Sequence, residues 1–381
     1  MLTLTDADPV ANQMFQGAGR AVANAGSGWF AAWVSLGPVV DVHSHFMPLD
    51  LPDLGASTAD GRWPSLRTDD GGKGRIVRGA ETFRVVTSAC WDLEVRLRAL
   101  DDTGVERQVI SPVPVSFVYW AEPNLAVAFA RAQNERLAET AGASAGRLIA
   151  FGGVPLQDVD AAIAELERVV GALDMAGVEI GTSVEGRELD DAALRPFFSA
   201  AESLGVPIFV HPCDGARAIR RQGQPYEFGL GMLTDTALAA AALVFGGVLE
   251  DCPNLKVGLA HGCGTFAWAY PRIANGSTLL PGSKPPDATE EMVRRMWVDS
   301  LVFDPLHLPL LFERFGADHV MLGSDAPFYP SAWGAPQDVV TGAVKAGLCD
   351  EATATGILGA NALEFLAANT AANDAVRERE R

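Results

Sequence analysis

Short runs rich in Val, Ile and Leu recur along the 381-residue chain, separated by longer stretches in which apolar residues return every three or four positions. The short runs predict strands at Pro38–His45, Val105–Val113, Arg147–Val154, Gly177–Thr182, Val206–His211, Leu255–His261, Met296–Phe303 and His319–Asp325. The longer stretches predict helices, among them Trp91–Thr103, Asn124–Ala143, Val159–Ala172, Asp190–Leu204 and Met232–Glu250. Capping residues such as Asp190-Asp191 and Thr234-Asp235 mark helix starts. Apolar strands, each followed by helix, predict an α/β fold: a (β/α)8, TIM-like barrel over residues 37–366.

Three segments fall outside the alternation. Residues 1–36 read as an appended N-terminal arm, with the aromatic Trp29–Trp33 stretch as a packing anchor. Residues 49–88, rich in Gly, Asp and Arg, are too long for an ordinary connection and predict a small insertion over the barrel mouth. Its "DDGGKG" (Asp69–Gly74) precedes no strong helix, so it reads as a loop and not as a phosphate cradle. Residues 367–381 read as a charged C-terminal tail.

The alternation also places the chemistry. Residues i and i+2 of a strand share a face. His43 and His45, in "VVDVHSHFMP", therefore present two imidazoles together at the end of the first strand. Alone, such a pair is more often two surface histidines at a strand end. However, His211 ends the fifth strand ("VPIFVHP"), His261 the sixth ("LKVGLAHGCG") and Asp325 the eighth ("HVMLGSDAPF"). In a parallel barrel those ends meet at one rim, where such barrels keep their active sites. The set predicts a metal centre. Imidazoles and one carboxylate without cysteine suit Zn2+, with Mn2+, Fe2+ or Co2+ as alternatives. His43, His45, His211 and Asp325 are the expected ligands of a single ion, and His261 stays just off it as a base. Glu179, inside the fourth strand, would serve a second ion only by pointing inward. His307 and His319 lie off the strand ends and read as structural.

Composition narrows the partners. A formal charge of −19 disfavours nucleic acid and anionic membrane surfaces, and Arg217, Arg220 and Arg221 read as a solvated loop. An anionic substrate would need local arginines to reverse that field. There is no uncharged apolar run of about 18 residues to span a membrane. Asp6 and Asp8, with no Lys or Arg before Arg20, make a poor signal peptide. The five cysteines show no C-x-x-C and read as reduced thiols of a cytoplasmic protein. No G-x-G-x-x-G follows a strand, so no organic cofactor is expected.

"DVHSHFMP", "FVHP", "HGCGTFAWAYPRI" and "LGSDAPF" resemble the amidohydrolase superfamily, in its branch of metal-dependent, non-oxidative decarboxylases. "CWDLEVRLRALDDTGVERQVISPVPVSFVYW" (Cys90–Trp120) and "VPLQD" (Val154–Asp158) extend the resemblance and bring it closest to the carboxymuconate-semialdehyde decarboxylases. It runs from Val39 to residue 366. It implies a small-molecule carboxylic acid substrate gripped by arginines. One matches Arg84, in "ETFRVV"; the other matches Arg272 and implies a homodimer in which it reaches the neighbouring site. The chain departs from the family at Arg78 (the family's cation falls near Ala80), Cys213, Cys263 and Ala326. Those positions surround the pocket and bear on which acid is used.

The resemblance implies that an unsaturated or aromatic acid loses CO2, with metal-activated water and His261 and Asp325 handling protons. A hydrolase of a lactone or amide, a hydratase, and a hydroxybenzoate decarboxylase are the rival enzymes. Arg84 and Arg272 favour an acid substrate, and "FR" with "SFVYW" favours the muconate branch. A non-catalytic metal barrel is the remaining rival, but structural zinc closes its coordination and needs no base beside it.

Overall fold

The computed structural model describes residues 37–69, 71–213, 218–223, 225–279, 285–329 and 334–367. The N-terminal arm and the tail beyond residue 367 lie outside the described residues. The barrel strands follow chain order: Val40–Asp41 (resumed at His45–Phe46), Arg107–Pro112, Leu148–Gly153, Gly177–Gly181, Ile208–His211, Val257–Leu259, Trp297–Asp299 and Val320–Met321. Each pairs in parallel with the next. The last meets the first: the Val42 N–H donates to the Leu322 carbonyl at 2.9 Å, and Ser44 bridges Ala326. A parallel sheet covered on both sides needs apolar residues on both faces, which is why its strands read as apolar runs. The ladders are shorter than those runs, because residues past the last ladder bond turn out onto the rim. His261 is one: it follows Val257–Leu259 in a 3-10 turn, His261–Cys263.

Side-chain caps set several helix starts. Asp92 accepts from the Val95 N–H to open Leu93–Thr103, and Asp158 accepts from the Ala161 N–H to open Val159–Gly171. Asp191 caps a 3-10 turn, Ala192–Leu194, that leads into Arg195–Leu204. Thr234-Asp235 marks no start. It lies inside Met232–Phe245, which follows a π-turn at Glu227–Gly231, and Asp235 instead accepts from the Thr182 hydroxyl at 2.9 Å. The expected single helix Met232–Glu250 is two, because Gly247 turns left-handed (φ 87°) before Val248–Asp251. The run Glu227–Phe245 is long and apolar enough to cross a membrane by length and composition, yet about half of it is buried inside the protein.

Between the first and second barrel strands lies a three-stranded antiparallel sheet: Pro64–Thr68, Lys73–Arg78 and Glu81–Thr87. Between its first two strands the Asp69 carboxylate accepts from the Gly71 and Lys73 N–H groups. Ile76 and Val86 bury themselves with Met47, Val113 and Val115, which seats this sheet on the barrel rim.

Candidate metal centre

Alternation in the first strand turns Asp41, His43 and His45 to one side, while Val40 and Val42 join a buried cluster with Ala362 and Phe365. Phe209 and His211 alternate in the same way, and the Phe209 ring lies 5.2 Å from that of His43. Asp325 follows the eighth strand with φ 54°, a left-handed conformation rare outside glycine. One donor atom each from His43, His45, His211 and Asp325 lies within 4.8 Å of the others, and all four residues are buried.

The hydrogen bonds say what this cluster is for. The Nδ1 atoms are occupied: His43 by Asp299 at 2.6 Å, His45 by the Pro112 carbonyl at 2.9 Å, His211 by the Pro212 carbonyl at 2.6 Å. The three Nε2 atoms and Asp325 Oδ1 converge, buried, with no hydrogen-bond partner. A donor on Nδ1 leaves the Nε2 lone pair free, which is the tautomer a metal ligand needs. Asp325 Oδ1 lies 3.0 Å from His45 Nε2 and 3.5 Å from His43 Nε2, spacings typical of atoms sharing a coordination sphere of about 2.1 Å radius. Four orphaned acceptors facing one point would be costly in any other role. These residues form a buried site for a divalent metal ion.

Charge agrees. Burial and the neighbouring imidazoles push His211 well below the ordinary histidine range, so it stays neutral and able to ligate. Burial raises Asp325, but the charge of His43 and the close approach of the His261 and His45 imidazoles pull it well below the usual carboxylate range. Asp299, likewise raised by burial, is lowered overall by its hydrogen bond to His43 and remains a carboxylate.

Sequence reasoning missed Asp299. It accepts from His43 and also from the backbone N–H groups of His261 (2.9 Å) and Gly262 (2.8 Å). One carboxylate therefore orients a metal ligand and the turn carrying His261. No linear signal marked it: the predicted strand runs on to Phe303, and only the observed ladder ends at Asp299. Also missed was Arg96, a buried guanidinium that donates to the carbonyls of Ala89 and His45 and to Gln108. Gln108 in turn donates to Asp41, which accepts from the His43 and Ser324 N–H groups. This chain of bonds ties the first strand to the eighth beneath the ligands.

His261 lies beside the cluster, its Nε2 3.7 Å from Asp325 Oδ2, beyond direct hydrogen-bonding distance. Both of its ring nitrogens are buried without a partner. Its turn is left-handed at His261, Gly262 and Cys263. Gly264 is required there: a Cβ would stand 2.0 Å from the Leu233 carbonyl oxygen. Glu179 does point inward, its carboxylate 3.9 Å from His45 Nδ1, and burial raises it far above the usual range. His319 packs its ring on Trp297 at 4.2 Å, away from the cluster.

Arg84 lines a cavity of about 400 Å³ together with His211, Asp325, Cys213 and Phe328. Its guanidinium lies over the Phe83 ring and donates to the Phe83 carbonyl at 2.9 Å. Arg272 is exposed on Phe266–Ser277 and lines neither this cavity nor a second one beside His261.

A family model described as Amidohydrolase matches residues 40–367. The chain is 36% identical over 330 residues to the 2-amino-3-carboxymuconate-6-semialdehyde decarboxylase of Dictyostelium discoideum, covering 86% of this chain and 91% of that one. It is 27% identical over 256 residues to the gamma-resorcylate decarboxylase of Rhodococcus jostii, covering 62% and 77%. Among solved structures, a dihydroxybenzoic acid decarboxylase from Polaromonas with bound manganese superposes with a TM-score of 0.66 at 22% identity, covering 86% of this chain and 96% of that one.

Proposed function

The chain belongs to the amidohydrolase family, and on that premise we propose that it is a metal-dependent, non-oxidative decarboxylase of an unsaturated or aromatic carboxylic acid. The observation that carries this reading is one cavity lined by Arg84 together with His211 and Asp325, whose ligand atoms have no hydrogen-bond partner. A guanidinium lining the same cavity as a metal-ligand set is placed to grip a carboxylate next to the ion. A lactone or amide hydrolase would have less use for it. The relatives' names point the same way: one acts on a carboxymuconate semialdehyde, another on gamma-resorcylate.

His43, His45, His211 and Asp325 would hold one ion, Zn2+ by ligand type, with Mn2+, Fe2+ or Co2+ as substitutes. Such an ion supplies Lewis acidity where negative charge develops. Arg84 binds and orients the acid. His261, without a partner on either nitrogen, carries the proton. The bond to the carboxylate carbon breaks, its electron pair stays on the ring or chain carbon, and the proton completes that carbon while CO2 leaves. Asp325 assists by holding negative charge 3.7 Å from His261.

Arg272, exposed on its own chain, would serve the site of a second copy in a homodimer. Mixing inactive His211→Ala and Arg272→Ala chains tests this: random pairing restores up to about a quarter of the wild-type sites. No recovery would place Arg272 outside the site. The reaction itself is tested with zinc- or manganese-loaded protein against muconate semialdehydes, hydroxybenzoates and lactones, following CO2 and ultraviolet absorbance. Chelator-sensitive CO2 release is expected. Spectral change without CO2 would favour the hydrolase or hydratase.

A further inference from the structure

Beside His261 lies a second cavity, of about 470 Å³. Among the described residues, no charged side chain other than the titratable His261 and His307 lines it; its walls are Leu233, Leu301, Val302, Leu310, Leu311 and aromatic rings. Phe228 and Tyr329 line both this cavity and the one containing Arg84, so the two spaces share a wall. Phe303, which lines only the apolar cavity, packs on that wall. The Phe228 and Phe303 rings lie 5.7 and 5.1 Å from Tyr329, edge to face in both cases. Phe303 is held at φ 59°, a conformation costly for a bulky residue. Phe303 is neither ligand nor proton carrier, and its ring lines the apolar cavity against Tyr329.

We infer that the two cavities are compartments of one binding site, and that the substrate is an acid bearing an apolar alkyl or aryl substituent. This deepens the decarboxylase reading and rests on it. The carboxylate lies in the Arg84 compartment and the reacting carbon lies between His261 and the ligand cluster. The substituent passes the aromatic wall into the apolar compartment. An apolar cavity of roughly 150 Å³ is enough to hold benzene, so 470 Å³ accepts an aryl group or a chain of several carbons. Continuity favours this occupant over a segment of another chain: a plug there would press on His261, and the compartment shares two wall residues with the polar one.

Benzoates carrying 4-alkyl chains of increasing length serve as non-reacting probes, with binding to metal-loaded protein measured by calorimetry. Each added methylene is expected to tighten binding about fourfold until the compartment is full. Leu310→Trp, which fills the compartment, is expected to flatten the series, and Phe303→Ala to shift its optimum to bulkier chains. Melting profiles and metal content are checked for both variants. A flat series with the wild-type chain overturns the inference without any variant, and a second copy occupying the cavity would produce that flat series. If the length series appears but no acid releases CO2, the compartments stand and the decarboxylase reading falls. CO2 release with a flat series has the opposite meaning.

Discussion

The two sides of the barrel mouth are built to different rules. On the metal side every element is tied down. His43, His45 and His211 each have Nδ1 engaged by an acceptor, Asp299 spans two of the strands, and Arg96, Gln108 and Asp41 lace the first strand to the eighth. On the substrate side the wall comes from irregular segments: a π-turn bearing Phe228, a left-handed Phe303, and Arg84 on the edge of an inserted sheet. The difference follows from physics. A buried set of lone pairs is tolerable only when its geometry is fixed for a cation. Apolar contacts are non-directional and allow the wall to vary with the substrate.

The sharpest way to break this contrast is to remove a ligand. His211→Ala is expected to lose the ion on dialysis and fall to background turnover, read by metal analysis of the dialysed protein. Retained metal would mean that the orphaned nitrogens are not its ligands. Next in size, His261→Ala should keep its metal and lose about 10²- to 10⁴-fold in kcat. Equal loss of metal would move His261 from proton carrier to ligand.

Asp299→Asn probes the support layer, with an expected loss of about 10- to 100-fold in metal affinity by competition with a chelator. Asp299 Oδ2 accepts from His43 Nδ1 and from the His261 N–H. An amide nitrogen in that place would donate to Nδ1, drive the imidazole proton to Nε2 and block the lone pair that faces the site. An unchanged affinity would show that the tautomer is set elsewhere.

How much of this was legible in the sequence follows the same division. The ligands were legible because a strand's period of two and a barrel's common rim put His43, His45, His211 and Asp325 together by arithmetic alone. Asp299 was not, because the apolar run Met296–Phe303 made it look like a strand interior, whereas the ladder stops at Asp299 itself. Thr234-Asp235 resembled a cap, but a π-turn had already opened that helix. The aromatic wall has no linear signature: Phe228, Phe303 and Tyr329 meet only through loop geometry, and nothing in composition announces a left-handed Phe303.

The smallest expected effect tests the substrate side. Arg84 is only half buried, on a strand whose neighbour Val85 is exposed, so its pairing with a carboxylate is partly screened. A charge-assisted hydrogen bond is worth about 1.5 to 3 kcal/mol, and the exposure argues for the lower end, roughly a tenfold rise in KM for Arg84→Ala. Metal content and the pH dependence of kcat should not move, since no bond from Arg84 reaches the ligand network. Arg84→Lys keeps the charge but loses the planar fork, and should recover only part of the affinity. If Arg84→Ala lowered metal affinity as Asp299→Asn does, the two sides of the mouth would be one coupled structure, and the contrast between a fixed metal side and an adaptable substrate side would fail.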